Sequence, residues 1–110
     1  MNSKEIELNL TELVSPPKTD SISGRTFGQG YAQKKNIVDE ISKGSKFKIV
    51  IDDNYIKAIN DSFWKGLFSE LFRKYKTKER VESFFTFKAN EYFKKHIEKN
   101  LTILDAIFNV

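Results

Sequence analysis

Few residue types in this chain of 110 residues could do chemistry. It has no cysteine and a single histidine, His96, which excludes thiolate chemistry, disulfides and a metal site built from several histidines. Asp52, Asp53 and Asp61 lie between a hydrophobic strand and a helix, where α/β proteins often place active sites and where Mg²⁺ could bind. The same residues are ordinary in a turn and a helix cap. We therefore predict no catalytic residue, no metal and no cofactor, and expect that the protein is not an enzyme.

A cluster of glycines spans residues 24–30, in the order Gly-Arg-Thr-Phe-Gly-Gln-Gly, before a predicted helix. Such a loop can hold phosphate through its backbone N–H groups. The order is neither that of a Walker A loop nor a GxGxxG placed directly after a strand. It favours a tight connection that lets the helix approach the sheet.

The positive charge of the chain is concentrated in one run. There are 19 basic and 15 acidic residues, a net charge of +4, and the run over residues 73–80 contributes five cations and only one acid. Such a patch could bind phosphate backbones or an acidic protein. It could equally be a solvated helix end, where cations suit the helix dipole. The predicted patch comprises Arg73, Lys74, Lys76, Lys78, Arg80, Lys94 and Lys95.

Hydrophobic periodicity predicts alternating strands and helices. Strands are predicted over residues 5–10, 46–52 and 81–87, the second of them central in the sheet because it is apolar on both faces. Helices are predicted over residues 30–42, from a cap at residues 60–62 onward, and over residues 90–99. Residues 101–108 are ambiguous, and propensity slightly favours a strand at 101–104.

This order predicts an α/β fold, a mixed sheet of about four strands with helices packed on it. We expect one domain over residues 1–110, with an N-terminal strand and Pro/Ser-rich loop over 1–23 and a core over 24–108. No apolar run approaches the roughly 18–20 residues that span a bilayer, and no signal peptide is evident. We therefore expect a cytoplasmic protein that does not bind membranes.

Residues 46–68 resemble the STAS domain of anti-sigma-factor antagonists and sulfate transporters. The features are a hydrophobic strand ending in Asp52, a short linker, and Ser62-Phe63 opening an amphipathic helix. An arginine-bearing segment around Arg25 and the Asn-containing turn at Asn90 are similar to small STAS-like proteins of bacteria and mobile elements. The resemblance covers roughly residues 24–101.

The resemblance implies a non-catalytic protein-binding module. In anti-sigma antagonists, a Ser or Thr at this helix start is phosphorylated by a partner kinase of the histidine-kinase-like ATPase class. Ser62 falls at or next to that position and is the candidate phosphosite. The sequence departs from that pattern, because Phe63 and Trp64 replace small residues and Asp61 already supplies a negative charge.

Our first expectation is a protein–protein interaction module. Its partner-binding residues would be Asn60, Asp61, Ser62, Phe63 and Trp64, together with Arg25 and Phe27. Phe63 and Trp64 should not both point inward, so one exposed aromatic ring would anchor the partner. Two alternatives stay open: an anti-CRISPR-like inhibitor of a host defence complex, and nucleic-acid binding through the basic run. An exposed edge strand also allows a homodimer.

Overall fold

The computed structural model describes residues 4–16 and 18–109. Over these residues the chain forms five strands and five α-helices, with a one-turn 3₁₀ helix at Leu10–Leu13. In chain order the elements are β1 (Glu5–Asn9), β2 (Ser21–Ile22), α1 (Arg25–Lys34), α2 (Ile37–Ser42), β3 (Lys46–Val50), β4 (Ala58–Ile59), α3 (Asp61–Tyr75), α4 (Lys78–Glu82), β5 (Phe85–Lys88) and α5 (Glu91–Phe108). The predicted α/β class is confirmed.

The main sheet has three parallel strands in the order β1-β3-β5, so β3 is central as predicted. A separate parallel pair joins β2 to β4. The prediction of one mixed sheet of about four strands is wrong, because the named strands pair only in parallel and β2–β4 forms a sheet of its own. Parallel neighbours require crossover connections, and α1–α2 and α3–α4 lie in the two crossovers of the main sheet.

The two faces of the main sheet differ in polarity. Leu8, Phe47 and Ile49 are fully buried on one face. The other face carries exposed charges, and Glu5 pairs in register with Lys46 across β1 and β3. The period-two pattern of side chains produces this separation. The helices therefore cover one side of the sheet and leave the other in water.

The glycine-rich segment forms a helix. The predicted loop over residues 24–30 is wrong, because α1 already begins at Arg25. The helix predicted over residues 30–42 is confirmed at its end, since α2 ends at Ser42, but it begins earlier and is divided after Lys34. Asn36 then adopts the left-handed conformation, with φ of 52°, and separates α1 from α2. Asn tolerates this conformation better than most residues. Gly28 lies where α1 contacts α3, so the glycine permits a close approach between two helices.

The C-terminal part of the chain is more helical than its sequence suggests. The strand predicted over residues 81–87 is wrong at its start, because Thr77 caps the short helix α4 and β5 begins only at Phe85. The strand predicted at residues 101–104 is also wrong. Phe93, Ile97, Leu101 and Leu104 recur every three or four residues and form one buried face of the continuous helix α5.

Candidate functional site

The starts of α1 and α3 lie side by side, and the short pair β2–β4 aligns them. Ile22 pairs in register with Ile59, and the backbone N–H of Asn60 donates to the Ile22 carbonyl oxygen at 2.8 Å. One residue beyond β4, Asn60 caps α3 by accepting a hydrogen bond from the Ser62 backbone N–H at 2.9 Å. Because β2 and β4 are paired in parallel and each is followed by a helix, the first residues of α1 and α3 lie next to each other.

The Ser62 hydroxyl links the two helix starts directly. Its oxygen accepts a hydrogen bond from the backbone N–H of Gly24, the residue before α1, at 3.2 Å. The same hydroxyl donates to Asn60 Oδ1 at 2.9 Å. This arrangement brings together five of the predicted binding residues, which we call the helix-start surface: Arg25, Phe27, Asn60, Asp61 and Ser62.

The expectation that Phe63 or Trp64 is exposed is wrong, because both side chains are 0% exposed. The Phe63 ring packs against Tyr31 of α1, with ring centroids 6.3 Å apart. Trp64 stacks on Phe68 one turn later, at 5.9 Å. Since α3 contacts both α1 and α5, its apolar surface is buried over a wider arc than a single stripe. Neither ring is available to anchor a partner.

Phe27 is the exposed aromatic residue of the helix-start surface. It is 45% exposed, and its ring centroid lies 6.1 Å from that of the buried Phe63. Arg25, two residues earlier on α1, is also exposed. The exposed aromatic ring that was expected at the start of α3 therefore lies on α1 instead.

A polar cluster between α3 and α5 was missed by the sequence analysis. The Asn100 side chain is 0% exposed, and its Nδ2 donates to Asp61 Oδ1 at 2.9 Å and to the His96 carbonyl oxygen at 3.0 Å. His96 Nε2 lies 3.1 Å from Asp61 Oδ1, and its side chain is only 20% exposed. His96 and Asn100 are four residues apart on one helical face, which is the one signal that could have indicated the cluster.

Asp61 is the ionisable group most affected by this cluster. The hydrogen bond from Asn100 lowers the pKa of its carboxyl group, and the neighbouring His96, Lys99 and Lys65 add to that effect, whereas desolvation opposes it. The carboxylate also sits in the first turn of α3, where the helix dipole favours negative charge. Asp61 therefore joins the helix-start surface to α5.

The other candidate carboxylates have separate structural partners. Asp52 Oδ1 accepts a hydrogen bond from the Asn54 backbone N–H at 2.9 Å, as in a turn. Asp53 Oδ2 accepts from the Asn90 side chain at 2.9 Å. Within residues 4–16 and 18–109, no three His, Cys, Asp or Glu side chains converge in a way that would hold a metal ion.

The basic run lies at the end of α3 and in α4. Lys78 forms an ion pair with Glu98 of α5, which raises the pKa of the lysine. The remaining cations of the run are exposed: Arg73, Lys74, Lys76 and Arg80. Lys94 and Lys95 are exposed near the start of α5, and Lys94 lines a recess with Glu82 and Phe87.

Comparison of the chain with models of known protein families, with curated proteins and with solved structures finds no match. In the part of the chain that the structure describes, no helix combines the length and apolar character needed to cross a bilayer.

Proposed function

We propose that this chain is a non-enzymatic, STAS-like protein–protein interaction module that docks its partner through the helix-start surface. One observation carries the proposal. The hydrogen bond from Gly24 to Ser62 holds the start of α1, which carries the exposed Phe27 ring, beside the start of α3, where Asn60 is exposed and Asp61 and Ser62 are half-buried. The proposed docking surface does not include Phe63 and Trp64, because both side chains are buried beneath it.

The composition of the helix-start surface suits a protein partner. Aromatic residues and arginine are enriched among the residues that contribute most to binding energy at interfaces. Phe27 and Arg25 supply both types, and Asn60 and Asp61 supply polar groups around them. Phe27 also rests on the buried ring of Phe63, so its ring is held in place before binding. Such preorganisation reduces the entropy lost on association.

The engagement of the carboxylates supports a binding role over a catalytic one. Asp52, Asp53 and Asp61 each accept a hydrogen bond from a different residue, and these three partners are Asn54, Asn90 and Asn100. Paired carboxylates that share one site are the usual basis for general acid–base chemistry or for divalent metals. Here each carboxylate has a local structural task.

Ser62 would be a regulatory position on this surface. Its hydroxyl donates to Asn60, and a phosphate ester would remove that proton. Phosphorylation would also add about 1.5 to 2 negative charges next to the Asp61 carboxylate. The link between Gly24 and Ser62 would be strained, and the docking surface would change shape. In this proposal the partner is a kinase of the histidine-kinase-like ATPase class.

Site-specific photocrosslinking in the native host tests the proposal. A photoreactive amino acid replaces Phe27 in one variant and Ile107, which has a similar exposed fraction of 57%, in the control. We expect a crosslink to an ATPase-type kinase from position 27 and none from position 107. Equal crosslinking from both positions, or capture of a nuclease complex through position 27, would overturn the proposal.

A further inference from the structure

Four exposed cations that the docking proposal does not use lie at the end of α3, in the turn after it and in α4. We call Arg73, Lys74, Lys76 and Arg80 the basic turn cluster. α3 begins at Asp61 and ends at Tyr75, so the cluster lies at the opposite end of this helix from the helix-start surface. A helix of that length spans about 22 Å. The two surfaces are therefore separate.

Hydrogen bonds and an ion pair connect the segment that carries the basic turn cluster to α5 and its C-terminal cap. The Asn109 side chain donates from Nδ2 to the Lys76 carbonyl oxygen at 2.6 Å. The Lys78 backbone N–H donates to Asp105 Oδ1 at 2.9 Å, and the Lys78 ammonium group pairs with Glu98. These bonds fix the turn between α3 and α4, so the exposed cations project from a rigid backbone.

Two cations of the cluster converge on one aromatic ring. Lys74 Nζ lies 5.4 Å and Arg80 Cζ 5.3 Å from the centroid of Tyr75. The Tyr75 ring is held in turn by Phe84, with centroids 4.7 Å apart. Cation–π contacts of this kind stabilise the positions of long side chains. Lys74 and Arg80 are therefore both packed against the Tyr75 ring, although they belong to different helices.

Two hydroxyl groups form hydrogen bonds with the backbone of Arg80. The Thr77 hydroxyl oxygen accepts a hydrogen bond from the Arg80 backbone N–H at 3.3 Å, and the Ser83 hydroxyl donates to the Arg80 carbonyl oxygen at 2.6 Å. A recess of about 550 Å³ lies among these residues, lined also by Tyr75 and Lys76. The Ser83 hydroxyl proton is used in its bond to the Arg80 carbonyl oxygen, whereas the Thr77 hydroxyl accepts in its bond and can still donate. Cations and hydroxyl donors are the groups that contact phosphate oxygens in nucleic-acid interfaces.

Polarity distinguishes nucleic acid from an acidic protein as the partner. Protein interfaces have an apolar centre, whereas nucleic-acid interfaces are more polar and more positively charged. Over the described residues, the exposed large hydrophobic side chains are Phe27, Tyr55, Tyr92 and Ile107, and none of them lines the recess beside Lys76 and Arg80. We propose that this cluster binds the phosphate backbone of nucleic acid, independently of the docking surface.

The number of phosphate contacts determines how steeply the binding constant falls with salt concentration. Glu79 lines the same recess as Lys76 and Arg80, and Glu70 lines a neighbouring recess with Arg73. These acids reduce the number of phosphates that four cations can hold. We expect two to three phosphate contacts, which corresponds to a slope of about −2 to −3 for log K against log salt on duplex DNA.

Fluorescence anisotropy with a labelled 20-base-pair duplex tests this inference, starting at about 50 mM salt. The double variant Lys76→Gln/Arg80→Gln should bind about tenfold more weakly than the unsubstituted protein and lower the salt slope by about two. The matched control Lys18→Gln/Lys57→Gln removes the same charge from exposed positions outside the cluster and should change binding less than twofold. Arg73→Gln serves as a further variant if the double variant melts early.

Three outcomes would overturn the inference. The first is no binding of the unsubstituted protein at about 50 mM salt. The second is an equal loss of affinity in both double variants, which would make net charge the cause. The third is tighter binding of a labelled polyglutamate than of DNA, which would assign the cluster to an acidic protein.

Discussion

Gly66 of α3 lies so close to the carbonyl oxygen of Arg25 in α1 that a Cβ atom at Gly66 would be 2.1 Å from that oxygen. The contact is reciprocated, because a Cβ at Gly28 of α1 would lie 2.2 Å from the carbonyl oxygen of Phe63. Each helix thus presents a glycine to the backbone of the other. This close packing holds the two helix starts together and so forms the helix-start surface.

Adding a methyl group at either glycine should be severely destabilising. Gly28→Ala and Gly66→Ala each place a Cβ against backbone atoms that cannot rotate away, so α1 and α3 must separate. We expect a loss of about 3 kcal/mol or more in the free energy of unfolding, measured by urea denaturation.

Gly30→Ala is the matched control within α1, since a Cβ there meets nothing within 4 Å. This substitution should stabilise the protein by about 0.5–1 kcal/mol, because alanine loses less conformational entropy in a helix. Similar effects at Gly28 and Gly30 would contradict the close packing of α1 on α3.

Stability should fall in acid through Asp61. Its carboxyl pKa is lowered in the folded protein, chiefly by the hydrogen bond from Asn100. The Asp61 carboxyl group therefore takes up a proton more readily in the unfolded chain than in the folded protein. Its contribution to the free energy of unfolding is fully present above the unfolded pKa, near 4, and is lost as the pH falls through the lower folded pKa. Asp61→Asn should flatten the dependence of unfolding free energy on pH between about 5 and 2.

Asp20→Asn is the control for this experiment, because the Asp20 side chain accepts a hydrogen bond only from the adjacent Ser21 hydroxyl among the described residues. It should leave the pH profile close to that of the unsubstituted protein. Identical profiles for Asp61→Asn and the unsubstituted protein would contradict the role given to Asn100.

Removal of the Ser62 hydroxyl should weaken the junction between the helix starts. Ser62→Ala leaves the Gly24 backbone N–H without its acceptor and removes a donor to Asn60. We expect a loss of about 1 kcal/mol in unfolding free energy and faster hydrogen exchange at Gly24. Ser21→Ala, at an exposed position in β2, should change neither quantity; unaltered exchange at Gly24 in Ser62→Ala would argue against the link.

The sequence predicted the elements whose side-chain pattern is local. The alternation in β3 and the start of α3 after a cap within residues 60–62 both follow from neighbouring residues, and the structure confirms them. The sequence alone places Gly28 in a loop, because its small size is needed only when α3 lies against it. Apart from its four-residue spacing from His96, Asn100 gives no signal, since its polar side chain is explained only by Asp61 on another helix.

The burial of Trp64 likewise depends on contacts with distant elements, which the local sequence pattern does not reveal. A helix that packs against both α1 and α5 buries aromatic residues that a single amphipathic stripe would expose. Trp64 is the one tryptophan of the chain, so its fluorescence reports this site alone. We predict blue-shifted emission and strong protection from iodide in the folded protein. Emission and quenching like those of the urea-unfolded chain would contradict its burial.

The affinity of the crosslinked partner for surface variants tests the docking proposal most directly. Isothermal titration calorimetry would compare Phe27→Ala and Arg25→Gln with Ile107→Ala, after melting curves show that all three are folded. We predict at least tenfold weaker binding for Phe27→Ala, since an aromatic anchor at an interface contributes about 2 kcal/mol or more to binding. We also predict a clear loss of affinity for Arg25→Gln and no change for Ile107→Ala. Unchanged affinity in both α1 variants would contradict docking through the helix-start surface.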